Sequence, residues 1–212
     1  LAMERPGYES DRLGLMLRAW PEGEPRPLAS GWDRSLSSLA WSADGRTIYA
    51  TAQDRGNHRL VAIDVGTGRV RELVSRGHVR SPAVAGDQLI FGLDTLDRPV
   101  DLYSLDVADR GAEPRRLTGV NDAVLADIEM GDYEQFTFAG WNDETVMGYL
   151  VRPVGLEPGE KAPVAFLIHG GPQGSFDNDF HYRWNPQVYA GAGYAAVMID
   201  FHGSTGSGQA FT

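Results

Sequence analysis

Three segments of the 212-residue chain fall into register when laid under one another: Leu15-Met16-Leu17-Arg18-Ala19-Trp20, Leu60-Val61-Ala62-Ile63-Asp64-Val65 and Leu102-Tyr103-Ser104-Leu105-Asp106-Val107, with starts 45 and 42 residues apart. Each leads through a polar turn into a second short strand, containing Arg26-Pro27-Leu28, Arg71-Glu72-Leu73 or Arg115-Arg116-Leu117. Between the first two copies lie Ser38-Leu39-Ala40-Trp41, a Ser42-Ala43-Asp44-Gly45 turn and Thr47-Ile48-Tyr49-Ala50-Thr51. The next interval repeats the layout with Pro82-Ala83-Val84, an Ala85-Gly86-Asp87 turn and Gln88-Leu89-Ile90-Phe91-Gly92-Leu93. Asp-Gly between β-rich runs signals a hairpin, so the unit is four antiparallel strands. A repeat of about 40 to 45 residues is the size of one propeller blade. A lone blade cannot bury both faces and needs neighbours. Residues 1–122 are therefore expected to form about two and a half blades of a propeller, which typically closes with about four to eight. A stand-alone β-sandwich is the alternative. Trp20, Trp32 and Trp41 are expected in the core or between blades, and the Arg and Asp residues of the turns as solvated loop charge.

The repeat ends at Asn121, and residues 123–212 read differently. Tyr133 to Gly140 alternates polar and apolar, Asn142-Asp143 turns, and Val146 to Pro153 returns, which predicts a β-hairpin. Val154 to Ala162 reads as a surface loop. The run Pro163-Val164-Ala165-Phe166-Leu167-Ile168 and the run Tyr194 to Phe201 are continuously apolar, as strands buried on both faces are. Between them Asn185-Pro186 predicts an N-cap with proline at the first helical position, and glycine at 191 or 193 closes the helix. Strand, helix and strand in this order predict a parallel crossover. Its two outgoing loops, His169-Gly170-Gly171-Pro172 and His202-Gly203-Ser204-Thr205-Gly206-Ser207-Gly208, share the carboxyl edge, where such sheets bind ligands.

Glycine lets a backbone N–H approach a ligand closely, and proline stiffens the turn. Such a turn can hold donors ready for a developing negative oxygen, the role that a His-Gly-Gly loop plays in α/β-hydrolases. An ordinary Gly-Pro turn is the alternative. The net charge of −10 argues against sequence-independent binding to nucleic acid or to an anionic membrane face, and small neutral to basic ligands such as peptides fit better. With no cysteine there is no disulfide framework, thiol nucleophile or cysteine metal site. Asp177-Asn178-Asp179 with His181 lacks the glycine and distal glutamate of a calcium loop and reads as a solvated turn. The histidines have no zinc-ligand spacing, and no metal or organic cofactor is expected.

The blocks Leu167 to Gly174, Arg183-Trp184-Asn185-Pro186-Gln187, Ala190-Gly191-Ala192-Gly193-Tyr194, Phe201 to Gly206 and Gln209-Ala210-Phe211-Thr212 together resemble the prolyl oligopeptidase family of serine peptidases. Within it they are most similar to the branch of acylaminoacyl peptidases and dipeptidyl peptidase five, and Arg5 to Arg12 and Trp32 to Ser35 also resemble propeller segments of that branch. The resemblance implies a β-propeller followed by the first strands of an α/β-hydrolase domain, and cleavage of short peptides between them. It makes Gly170 and Gly171 the oxyanion backbone, with His169 and Pro172 as the wall of the site. His169 is expected as a hydrogen-bonded loop histidine rather than the catalytic base, which the family places near the end of its hydrolase domain.

One departure is decisive for the expectation. The family's nucleophile sits in Gly-x-Ser-x-Gly on a strand-to-helix elbow. Ser175, Ser204 and Ser207 all fail that pattern. Serine, aspartate and histidine are thus expected beyond Thr212, this chain alone is expected to be inactive, and its partners are a short peptide and the C-terminal remainder of the same protein. Ser207 also stands where the branch usually carries tyrosine. The rival classes are an esterase with the same loop, against which the propeller repeat argues, and a non-catalytic propeller binding module. The branch favours the bacterial periplasm over the cytoplasm, and oligomerisation is left open.

Overall fold

The computed structural model describes residues 1–171 and 173–212. Strands β1 (Leu15–Leu17) and β2 (Arg26–Leu28) pair antiparallel as a two-stranded sheet, Leu15 opposite Leu28. Next come β3 (Leu36–Trp41), β4 (Thr47–Asp54), β5 (Asn57–Asp64) and β6 (Val70–Val74), each antiparallel to the one before. The same meander recurs in β7 (His78–Ala85), β8 (Gln88–Thr95), β9 (Arg98–Asp106) and β10 (Arg115–Arg116). The repeat of the sequence is thus a repeat of four-stranded units, joined at one parallel bridge between His58 and His78. The sheets do not close on themselves.

Packing follows the repeat. Leu15 and Leu28 share a core with Leu36, Ile48, Ala50, Val61 and Ile63, so the β1–β2 pair stacks on the first unit. The two units share a second core of Tyr49, Leu60, Ala62, Val79, Leu89, Phe91 and Leu105. One sequence expectation fails here. Trp20 is 89% exposed and Trp41 50%, and only Trp32 packs against a core, because Trp20 lies in the loop between β1 and β2 and Trp41 ends β3 beside a turn. The strands themselves also carry buried charge, whereas Asp44 and Asp87 of the turns are exposed. Asp54, Asp94 and Asp101 are buried and held by Arg34 and Arg59, by Arg80, and by Arg116 respectively. A buried carboxylate is tolerated only when paired in this way.

After a four-residue helix α1 (Asp122–Leu125), β11 (Tyr133–Ala139) and β12 (Thr145–Val151) form the expected hairpin, with Asn142 and Asp143 both at positive φ in its turn. Strand β13 (Val164–Leu167), helix α2 (Pro186–Gly191) and β14 (Ala195–Asp200) complete a four-stranded sheet ordered β11-β12-β14-β13, in which β13 and β14 are parallel. The Asn185 side chain caps α2 by accepting the Gln187 N–H at 2.9 Å, Pro186 opens it, and Gly193 turns the chain out at φ +87°.

Burial in this sheet departs from the reading of β13 and β14 as covered on both sides. Ala196 and Met198 join Tyr149, Val151, Leu96 and Ala190 in a third core. The opposite face carries Phe138, Val164, Phe166 and Ile168 at 44, 61, 52 and 70% exposure. Helix α2 and the blades lie on one side only, and β13 is an edge strand of this sheet.

Candidate functional site

Both units meet the mixed sheet through the tips of their central hairpins. At the first tip, Arg55 and Gly56 connect β4 to β5 with φ of 52° and 70°, the left-handed pair that a two-residue hairpin turn requires. Four segments close on these two residues. The Gly56 carbonyl accepts the Tyr149 hydroxyl at 2.7 Å and the Asn178 N–H at 2.8 Å. The Arg55 carbonyl accepts the Gln135 side chain at 2.8 Å, and the Arg55 N–H donates to the Gly206 carbonyl at 3.1 Å. A Cβ on Gly56 would stand 2.9 Å from the Tyr149 ring, so only glycine lets the tip approach. At the second tip Leu96 enters the third core, and its N–H is received by the Asn178 side chain at 2.9 Å.

The carboxyl ends of β13 and β14 lie beside these tips, and their two outgoing loops are tied together. Thr205 donates its N–H to the Gly174 carbonyl at 2.8 Å. His169 sits at the centre, its ring stacked on Phe201 with centroids 4.5 Å apart and edge-on to Phe176 at 5.3 Å. Its Nδ1 faces the Gly170 carbonyl at 2.8 Å and so carries the proton, which leaves Nε2 to accept the Ser204 hydroxyl at 2.8 Å. Asp200 Oδ1 lies 3.8 Å from the same Nε2. Serine, histidine and aspartate are together, yet the set cannot act as a nucleophilic triad. Ser204 is fully buried, and the carboxylate stands on the serine side of the ring instead of orienting the opposite nitrogen. The cluster instead holds the His169 ring in place.

Gly170 and Gly171 are exposed on the outer side of this ring, and neither N–H meets an acceptor among the described residues. Gly171 has φ +137°, and a Cβ there would fall 2.6 Å from the Gln173 backbone nitrogen. Pro172 lies outside the described residues. The glycine pair is therefore presented as free backbone donors on a loop whose inner side is fixed by His169.

Sequence reading missed the carboxylates beneath the loop. Asp200, the last residue of β14, accepts the Phe176 N–H at 2.7 Å and faces the Ser175 hydroxyl at 3.0 Å. Burial pushes its pKa up to about 7. Asp177 is also buried, which pushes its carboxyl up as well, and it accepts the Gln53 side chain of β4 at 3.0 Å. The available signal was an aspartate ending an otherwise apolar strand. His181, set beside Asp177 and Asp179 in the sequence, turns to its own loop and accepts the N–H groups of Arg183 and Trp184. His78, Asp94 and Asp179 do converge, with donor atoms within 4.8 Å of one another. Arg80 already donates to both Asp94 oxygens, at 2.8 and 2.9 Å, so a guanidinium holds the place a cation would take.

The chain aligns over its whole length with a probable dipeptidyl-peptidase 5 of Arthroderma benhamiae, 36% identical over 221 residues, and with dipeptidyl-peptidase 5 of Schizosaccharomyces pombe, 32% identical over 220 residues. The chain is thus similar over its whole length to dipeptidyl-peptidase 5 proteins. It spans 30 to 31% of the length of these two relatives. Among solved structures, an acylaminoacyl peptidase in complex with Z-Gly-Gly-Phe-chloromethyl ketone superposes over 97% of the chain and 31% of its own, with a TM-score of 0.80 and 28% identity. The acylaminoacyl peptidase of Pyrococcus horikoshii gives a TM-score of 0.79 at 27% identity, over 97% of this chain and 31% of its own. These relatives are peptidases, and the mostly β architecture found here matches theirs. No family model matches the chain.

Proposed function

We propose that this chain is the propeller-to-hydrolase junction of a serine peptidase acting on short peptides, by dipeptidyl or acylaminoacyl release, with Gly170 and Gly171 donating to the oxyanion. The observation that carries this reading is the pair of glycine N–H groups that meet no acceptor among the described residues, at the carboxyl edge of a parallel strand pair, on a loop braced from behind by His169. Preorganised donors of this kind stabilise the charge that develops as a nucleophile attacks a carbonyl. In this reading residues 1–122 belong to the propeller, which limits access to small peptides. Residues 123–212 open an α/β-hydrolase sheet, whose remaining elements cover the apolar face bearing Phe166 and Ile168. The nucleophile, its acid and its base lie outside the chain, since none of its serines stands in Gly-x-Ser-x-Gly.

The intact protein tests this directly. Fluorophosphonate labelling and hydrolysis of dipeptidyl and acylaminoacyl chromogenic substrates are expected, both lost together when the labelled serine is replaced. Gly171→Ala is expected to lower kcat by about 100-fold with KM little changed, the pattern of a donor used only in the transition state. Labelling of one of the serines named here, or an unaltered kcat in Gly171→Ala, would overturn the assignment.

A further inference from the structure

We infer that Asp200 and Asp177 share a single proton through the Ser175 hydroxyl, and that this neutralised pair fastens the loop carrying Gly170 and Gly171 to the end of β14, while Gln53 holds the same loop through Asp177. The geometry is a continuous chain. Gln53 donates to Asp177 Oδ2 at 3.0 Å, Asp177 Oδ1 lies 3.4 Å from Ser175 Oγ, and Ser175 Oγ lies 3.0 Å from Asp200 Oδ2. The hydroxyl has one proton and so can donate to only one carboxylate. A second proton on Asp200 satisfies both contacts, since Asp200 then donates to Ser175 and Ser175 donates to Asp177.

The surroundings place that proton on Asp200. Around Asp177 stand the Gln53 amide of β4, His78 and Arg80 of β7, and Asp179 of its own loop, so this carboxylate has a donor and basic groups within reach of its charge. Among the described residues no arginine or lysine pairs with Asp200. It meets the Phe176 N–H, the His169 Nε2 at 3.8 Å, the charge of Asp177 and, from β12, the Tyr149 phenol. Burial and the neighbouring charge both favour its neutral form, with a titration near pH 7. Ionising Asp200 puts two buried carboxylates on one hydroxyl, so Ser175 loses its contact either with Asp177 or with Asp200 of β14, while Gln53 still donates to Asp177.

The loop consequence rests on the oxyanion reading of Gly170 and Gly171; the shared proton does not. Infrared spectra of the intact protein, taken from roughly pH 5 to pH 9, read the protonated carboxyl stretch without any substrate. A band titrating near pH 7 is expected in the wild type, absent in Asp200→Asn, and moved to lower pH in Asp177→Asn, where the charge opposing ionisation is gone. A band unchanged in either variant overturns the shared proton. The second readout is the pH profile of peptide hydrolysis. Activity is expected to fall about tenfold as pH rises through the carboxyl titration in the wild type, and to stay level in Asp200→Asn, whose amide donates to Ser175 at every pH. A purely structural Asp200 would lower activity evenly without removing that limb. Normal carboxyl titration with a hydrolysis limb that ignores it overturns the fastening of the loop while the proton assignment stands.

Discussion

Strands β4 and β13 invite comparison because composition ranks them the wrong way round. β4 reads Thr-Ile-Tyr-Ala-Thr-Ala-Gln-Asp and is buried along nearly its whole length, on both faces. β13 reads Val-Ala-Phe-Leu, is more apolar, and shows Val164 and Phe166 to solvent. The difference lies in what is stacked above. β4 has a strand on each side and packs into both cores that flank it, whereas β13 has one neighbouring strand and cover on one face. An apolar run thus records a demand for cover, and the supply depends on neighbouring elements.

Two substitutions press on this contrast between covered and open strands. Phe91→Ala removes a ring that is 1% exposed and is expected to cost about 3–5 kcal/mol in denaturant unfolding. Phe166→Ala, at 52% exposure, should fall within about 0.5 kcal/mol in this chain. A cost approaching that of Phe91 in the intact protein would show that the open face is covered there.

The two seams also differ in their response to acid. His58, at the bridge between the units, is pushed down to about 4 by burial and by the neighbouring His78. The unfolded chain binds its proton more readily, so stability is lost as pH falls from about 6.5 towards about 4, by on the order of 2 kcal/mol. Asp200 is raised, and its contribution runs in the opposite sense: it is full below about 4 and lost as pH rises through about 7. The two slopes oppose each other where they overlap. His58→Gln is expected to leave an unfolding midpoint that declines with rising pH, and Asp200→Asn one that rises. Identical pH dependence in both variants would refute the assignment of opposite signs. The smallest effect belongs to Asn185→Ala, which should cost about 1 kcal/mol through loss of the α2 cap, again by denaturant unfolding.

Sequence carried the four-stranded units well because a strand period of two and a repeat near 45 residues are both local patterns. The Ser42-Ala43-Asp44-Gly45 turn and the Asn185 cap could be read from a few neighbouring residues for the same reason. Asp94 and Asp101 could not. Their arginines, Arg80 and Arg116, stand 14 and 15 positions away, and only the strand register brings each pair together. The site was divided likewise. Gly170 and Gly171 announce themselves through composition, while the proximity of Ser175 to Asp200 depends on the parallel pairing of β13 and β14, and that of Asp177 to Gln53 on how the two sheets meet.

The Arg55–Gly56 tip gives that meeting a mechanical character. Its contacts end on main-chain carbonyls and on one main-chain N–H. Those peptide groups do not titrate across the range in which Asp177 and Asp200 change charge. Ionisation of Asp200 therefore leaves the tip's own hydrogen bonds intact. An anchor built from peptide groups beside a tie built from acids keeps one of the two attachments at every pH.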